Sequence, residues 1–420
     1  MGLVKTSLFS GLITIIRIAS GFIANKIVAV YTGPGGVAIL GAFSNFIALA
    51  LTFANGAINN GVIKYTSEYK NKEYKQKLLI STSFRISVYC SAVLGPILIL
   101  FAPFFSEWIL ANNIYTGAIR VLGCSIILYS LNSLFVSILN GRNQLKDYTL
   151  VNTLGSIIGL ILTIVLVYFF NVHGALYALV LSQSIVFFVT FILITKSPWF
   201  SWSYFKLPLS KIIAKKLLGF TLMAIITAIC VPVSQILLRN LVIDKVGINS
   251  AGYWQGMMRV SDGYLLLIVT SLSTYYLPRL SSLKKDNELK AEIFKGYKII
   301  LPTLLCGCMI IYFLRFFIIK LLYTPSFYEM ESLFLWQLVG DFFKMAAWIL
   351  SYLMVAKAMV KIFIVIEVIF NLSYIVLGFL FVHYFKLLGI TYAFALNYFL
   401  YFLTMIFIFR KLLFNKYIKQ

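Results

Sequence analysis

Apolar residues run through this chain in stretches of about twenty or more, long enough to cross a bilayer, separated by short segments that carry most of its charge. A membrane-crossing helix needs roughly 17–25 predominantly apolar residues. Twelve stretches meet that requirement, with approximate limits 7–30, 38–63, 79–103, 115–139, 150–170, 174–195, 213–238, 249–276, 296–319, 332–356, 361–383 and 388–410. None shows the alternating segments of about ten residues that mark a membrane β-barrel. The pattern predicts an all-α integral membrane protein with twelve transmembrane helices.

The connecting segments alternate in charge. KYTSEYKNKEYKQK, GRNQLKDY, KSPWFSWSYFKLPLSKIIAKK, PRLSSLKKDNELKAEIFKGYK, KAMVK and the tail RKLLFNKYIKQ are basic. YTGPGG, SEWILANNIYTG, FNVHG, RNLVIDKVGINS, KLLYTPSFYEME and YFKLLG are poor in Lys and Arg. About 25 basic residues fall on the first side and about 4 on the second, so the positive-inside rule places both termini in the cytoplasm.

A repeat emerges at an offset of about 215 residues, the kind of periodicity that marks duplicated architecture. Gly174, Tyr177 and Ala178 answer Gly389, Tyr392 and Ala393; the same shift pairs Gly41 with Gly256, Asn25 with Asn240, and Lys146 with Lys361. Two parallel halves, 1–200 and 201–420, with six helices each and related by an axis along the membrane normal, are a transporter plan with substrate between the halves.

Composition narrows the class further. With 420 residues, 61% hydrophobic, 12% charged and a mean hydropathy of +0.94, the chain has too much apolar surface for soluble cores. Its net charge of +23 would suggest nucleic acid in a soluble protein. Here it reads as orientation and contact with anionic lipid. The apolar run from Lys5 to Tyr31 is too long for a signal peptide and carries Arg17 and Lys26, so it reads as the first helix. The five cysteines, Cys90, Cys124, Cys230, Cys306 and Cys308, lie in apolar runs without metal or redox spacing. There is no HExxH and no phosphate loop, and only His173 and His383. With external segments this short, no catalytic, cofactor or metal site is expected.

Charges inside the apolar runs are costly and by default mark function. Arg17, Lys26, Arg85, Arg120, Arg259, Arg315 and Lys344 face only Asp262, Asp341 and Glu367, a surplus of four positive charges. Such a surplus favours an anionic ligand, and the planar fork of arginine suits phosphate. Arg85, Arg120 and Arg315 lie near run ends, where long side chains also snorkel to the interface. Arg17 is deep and has no acidic partner in its run. Lys26, about 180° away around the helix, shares a cavity with it only if the helix bends at Gly21.

Arg259 with Asp262, and Asp341 with Lys344, are three residues apart on one face, which fits either a ligand site or a structural ion pair. Glu367 has no cation one turn away but has Asn371 four residues on; it is a proton-coupling candidate or a hydrogen-bonded neutral acid. Asn45, Thr52, Asn55 and Asn59 form a neutral stripe that can bind sugar hydroxyls or a neighbouring helix. The substrate-binding candidates are therefore Arg17, Lys26, Arg259, Lys344, Asn45, Asn55 and Asn59. The ion-coupling candidates are Glu367, Asp341 and Asp262.

The strings WQGMMRVSDGYLLLIVTSLSTYYLPRLSSL, LFLWQLVGDFFKMAAWILSYLMVAKA, KLLGFTLMAIIT and NNGVIKYTSEY resemble the Wzx-type flippases of the polysaccharide transporter family. That branch holds the O-antigen and enterobacterial common antigen (lipid III) flippases and belongs to the MOP superfamily with the MATE-like exporters. The resemblance spans essentially the whole chain. It implies two six-helix lobes in a bacterial inner membrane, moving undecaprenyl-pyrophosphate-linked oligosaccharide from the cytoplasmic to the periplasmic leaflet by alternating access. It also implies a cationic cavity meeting the pyrophosphate, with Arg17, Lys26, Asp262, Asp341, Lys344 and Glu367 at matching positions; Arg259 departs from the lipid III pattern. A glycan polymerase and a chain-length regulator are the implied protein partners.

The main alternative is a MATE-like exporter of organic cations. Such a protein would be expected to carry acidic residues in its first lobe, and no Asp or Glu occurs between Met1 and Tyr65. A lipid II flippase would need more spans than this length provides, and a non-transporting scaffold would not need buried cations.

Overall fold

The computed structural model describes residues 3–414 except 71, 143, 198, 284 and 358; the side chains of residues 3–17, 145, 218–224, 273–274, 278 and 282 lie outside that description. Helices account for nearly all of it. In chain order they are α1 (Leu3–Ala54), α2 (Asn59–Glu68), α3 (Glu73–Leu100), α4 (Ala102–Leu110), α5 (Thr116–Gly141), α6 (Leu145–Thr195), α7 (Ser203–Lys206) and α8 (Lys211–Lys245). They continue with α9 (Ile248–Ser271), α10 (Leu277–Ser282), α11 (Asp286–Phe313), α12 (Arg315–Leu322), α13 (Phe334–Ala356), α14 (Val360–Ile408) and α15 (Arg410–Phe414). Among the described residues, eight helical stretches are long and apolar enough to cross a membrane.

Three of the long helices are broken inside. Gly33 interrupts α1, Asn171 interrupts α6 and Lys386 interrupts α14, each with a positive φ. The breaks fall in the short segments YTGPGG, FNVHG and YFKLLG, which the sequence pattern had separated as loops.

In α6 and α14 the break reverses the chain. A Cβ built on Gly174 would lie 1.8 Å from the carbonyl oxygen of Leu166. In a straight helix, eight residues span about 12 Å, so the two arms of α6 fold back on each other. Gly389 repeats the arrangement, with its Cβ position 2.1 Å from the carbonyl of Phe381. All three pairs, 171 with 386, 174 with 389 and 166 with 381, are separated by the offset of 215 found in the sequence. The repeat is thus one of backbone geometry as well as of residue identity.

The second apolar run departs from expectation. It was expected to continue to residue 63, but α1 stops at Ala54, and Gly56 and Ala57 take positive φ before α2 begins. Backbone that leaves the helix inside a membrane protein must have its polar groups satisfied by protein. Asn55 Oδ1 accepts the N–H of Ala57 at 3.0 Å, while the carbonyl of Ala54 accepts the hydroxyls of Ser91 and Ser130 at 3.0 and 3.2 Å. At the corresponding point of the second half, a π-helical turn at Leu272–Tyr276 interrupts the path from α9 to α10. Such turns occur as local bulges in longer helices.

The chain divides into two compact units. One comprises residues 1–32 and 39–233; the other comprises 33–38 and 234–420. In the first, α3 and α5 pack through small and hydroxylated residues, and buried Leu79, Leu134, Phe135 and Leu217 belong to its core. In the second, Ile293, Leu350, Met354 and Met405 occupy the equivalent interior, with α13 packed against α14. The peripheral helices carry their largest apolar side chains outward: Phe169, Phe313 and Val376 are 67%, 76% and 67% exposed. Exposed apolar surface on this scale requires lipid around it. The protein is a multi-pass membrane protein.

Candidate functional site

The second unit gathers most of the intramembrane charge. Asp341 on α13 is fully buried. Its Oδ2 accepts hydrogen bonds from Ser261 Oγ and Tyr264 Oη on α9, both at 2.6 Å, and Gln337 Nε2 stands 3.5 Å from Oδ1. Two hydroxyls from another helix thus satisfy the carboxylate, in place of the structural ion pair that was one of the two readings of its spacing from Lys344.

Lys344 makes no ion pair with Asp341. Its Nζ lies 5.1 Å from the ring of Trp348, 5.6 Å from Tyr398 and 5.9 Å from Phe394, within cation–π range. Aromatic faces stabilise the ammonium without consuming its three N–H donors.

Glu367 on α14 has the partner the sequence suggested. Asn371 Nδ2 donates to its Oε2 at 3.1 Å and to its backbone carbonyl at 2.8 Å, and Asn371 Oδ1 accepts from Ser234 Oγ on α8 at 3.3 Å. On α9, Arg259 is half-buried and Asp262 is exposed. Asp262, Asp341, Lys344 and Glu367 therefore share one unit, on α9, α13 and α14.

A further cation was missed by the sequence reading. Arg239, expected in an external loop, lies inside α8 and is fully buried. Its guanidinium carbon is 5.8 Å from the centre of the Trp254 ring, and Nη2 donates to Gln255 Oε1. Its Nε and Nη1 have no hydrogen-bond partner among the described residues. The surrounding string ILLRNLVI was the available signal, since apolar residues occur on both sides of Arg239.

The candidates of the first unit are dispersed. The side chain of Arg17 lies outside the described residues. Lys26 and Asn45 are half-buried on α1. Asn55 is used by its own turn, and Asn59 Nδ2 donates to Ser133 Oγ at 2.7 Å. Of the cations near run ends, Arg85 donates to the carbonyl of Leu207 at 3.1 Å and Arg315 pairs with Glu331 at 2.7 Å, whereas Arg120 is exposed.

The hydroxyl cradle around Asp341 is a testable structural element. Asp341→Leu removes the acceptor from two side chains, and a buried polar group left unsatisfied costs about 1–3 kcal/mol. Thermal unfolding of the purified protein is expected to fall clearly for Asp341→Leu and less for Asp341→Asn, which keeps one acceptor oxygen. Equal melting of wild type and Asp341→Leu would mean that the cradle does not hold α9 to α13.

Comparison with known proteins bears on the whole chain. Residues 14–332 match the family model described as polysaccharide biosynthesis protein. The chain is 31% identical over 368 residues to the lipid III flippase of Escherichia coli (strain K12), covering 88% of both chains. The lipid III flippase of Shigella flexneri gives the same identity and coverage. Among solved structures, an inward-facing multidrug resistance MATE family transporter of the MOP superfamily superposes with a TM-score of 0.78 at 17% identity, covering 95% of this chain and 98% of that one. A MOP superfamily transporter from Pyrococcus furiosus Vc1, described by the reverse polarity of its binding pocket, gives 0.72 at 16% identity, with 97% and 96% covered. These structures are similar in fold, and the relatives are transporters and flippases rather than enzymes. With its helical fold, its family match over residues 14–332 and relatives aligned over 88% of its length in agreement, the chain belongs to the polysaccharide biosynthesis protein family.

Proposed function

We propose that this protein is a flippase for undecaprenyl-pyrophosphate-linked oligosaccharide, moving O-antigen or enterobacterial common antigen (lipid III) units from the cytoplasmic to the periplasmic leaflet of a bacterial inner membrane. The observation that carries this reading is the 31% identity to lipid III flippases across 88% of the chain. The surplus of cations in the apolar runs agrees with an anionic pyrophosphate cargo.

In this reading the polypeptide makes twelve passes. Dividing α1, α6 and α14 at their breaks and counting α9 with its continuation supports that number. Both termini are cytoplasmic, as the basic loops suggest, and the lobes are 1–200 and 201–420. A glycan polymerase and a chain-length regulator are the protein partners.

Alternating access lets the pyrophosphate enter from the inner leaflet, meet Arg17, Lys26, Arg259 and Lys344, and leave outward while the polyprenyl tail stays in lipid. Asn45 and Asn59 of the neutral stripe belong to the same substrate path, and Asn55 shapes the turn between them. Outward movement of an anion from a negative interior is favoured by roughly 2.3 kcal/mol per charge per 100 mV. Release still requires a weaker cationic grip, and a proton or other ion exchanged at Asp262, Asp341 or Glu367 supplies it.

Transport of a fluorescent undecaprenyl-pyrophosphate oligosaccharide in proteoliposomes tests the reading. Wild type is expected to move the lipid, Arg17→Ala to lose most of that activity, and an organic cation not to compete. Dye efflux without lipid movement would favour the exporter alternative instead. For coupling, Asp341→Asn and Glu367→Gln are expected to flatten the pH dependence of transport. If both variants keep the wild-type rate and pH profile, these carboxyls do not couple it.

A further inference from the structure

The first unit contains a cavity of about 540 Å³ between α1, α5 and both arms of α6, within the roughly 300–1,000 Å³ usual for small-molecule sites. Among the described residues, none that lines it is charged. These residues offer no counter-charge to a pyrophosphate or an organic cation.

Its polar groups are fixed and partly unused. Asn132, almost fully buried, donates Nδ2 to Gln183 Oε1 at 3.1 Å and accepts from Thr190 Oγ1 at 2.7 Å. With its carbonyl end held, the amide N–H groups of Gln183 remain as donors at the cavity wall. Ser133 Oγ accepts from Asn59 and keeps its own hydrogen to donate. Asn152 donates Nδ2 to the carbonyl of Tyr148, leaving Oδ1 as an acceptor. Tyr129 also lines this wall.

The glycines of the wall are not explained by packing. Among the described residues, a Cβ on Gly21 would meet nothing within 4 Å, one on Gly159 only Ser182 Cβ at 3.8 Å, and one on Gly155 only Val186 at 3.5 Å, ordinary van der Waals contact. Side chains would fit there, and their absence leaves the cavity open.

We infer that this cavity is a subsite for an uncharged sugar residue of the lipid-linked glycan, held by Gln183, Ser133, Tyr129 and Asn152. The inference rests on the flippase reading for the source of the sugar but not for the chemistry of the cavity. Donors and acceptors interleaved on a neutral wall match sugar hydroxyls, each of which both donates and accepts. The sugar and the pyrophosphate are thereby read by different groups: the uncharged side chains of this wall take the sugar, and the cations take the phosphates.

Two measurements test it. In proteoliposomes, transport is compared for the glycan-bearing lipid and for undecaprenyl pyrophosphate without sugar. Gly21→Leu, which fills the cavity, and Gln183→Leu, which removes a donor, are expected to lower the ratio of the two rates at least about tenfold, as loss of a buried hydrogen bond does. In parallel, saturation-transfer NMR with free neutral trisaccharides is expected to give signal with purified wild type and none with Gly21→Leu.

An unchanged ratio in both variants overturns the inference. If wild type moves neither lipid, the flippase reading fails and the NMR result alone decides the cavity. Signal in wild type lost in Gly21→Leu then supports the subsite; no signal in wild type, or signal unaffected by Gly21→Leu, overturns it.

Discussion

Gly389→Val is expected to remove most of the correctly folded protein recovered from membranes, and Gly174→Val to do the same. At either position the first added carbon lies within about 2 Å of a backbone carbonyl oxygen, and no rotamer change relieves a clash with Cβ. The arms of the hairpin must separate, which breaks their packing along the whole contact. Overpacking of this kind typically costs about 1–3 kcal/mol, occasionally more; a clash with rigid backbone belongs at the upper end. Gly307→Val is the matched control, because a Cβ there meets nothing within 4 Å among the described residues. Fluorescence-detected size exclusion and thermal melting are the readouts. A Gly389→Val protein with wild-type yield and melting temperature would show that the arms are not closely packed.

Lys344→Met is expected to cost about 1.5–3 kcal/mol of substrate interaction, roughly 10–150-fold in apparent affinity, the usual worth of a hydrogen bond to a charged group. Folding should survive, because methionine is of similar length and packs well against the aromatic rings of Trp348, Phe394 and Tyr398. The substitution therefore separates two roles. If Lys344 only fills an aromatic box, methionine replaces it and transport persists; if it meets the pyrophosphate, transport falls while melting is unchanged. Dose dependence on lipid-linked glycan in proteoliposomes, read beside the melting curve, distinguishes them.

The long-range plan of this protein could be read directly from its sequence because it depends on quantities that add along the chain. Apolar run length marked the long helices, and a sparse set of matches at offset 215 located a repeat that the backbone repeats at Asn171 and Lys386. What the sequence obscured were competitions between local and tertiary partners. Asp341 and Lys344 have the spacing of an ion pair, but Ser261 and Tyr264 reach the carboxylate from another helix, and no one-dimensional pattern contains that contact. Glu367 and Asn371, whose interaction lies within one helix, were paired correctly.

Asn55 and Arg239 illustrate opposite errors. Asn55 was placed on a helical binding face although the Asn-Gly pair it begins is a turn signal; the length of the apolar run outweighed it. The helix ends there, and Asn55 bonds its own turn. Arg239 was assigned to a loop because charge was taken to end the run, yet the helix continues through it and buries it. A single polar residue is weak evidence for a boundary when apolar residues continue on both sides.

The doubled-back geometry of α6 and α14 also bears on how the chain acquires its orientation during synthesis. Each arm is long enough to cross the hydrocarbon layer, so the start and end of either hairpin emerge at the same surface. Lys146 and Lys196 flank one hairpin, and Lys361 and Arg410 flank the other. Each pair anchors its hairpin twice from one side, and inversion would carry both cations of a pair across together. By the positive-inside rule, two flanking cations then oppose inversion of each hairpin against at most one at its turn, Lys386 in α14.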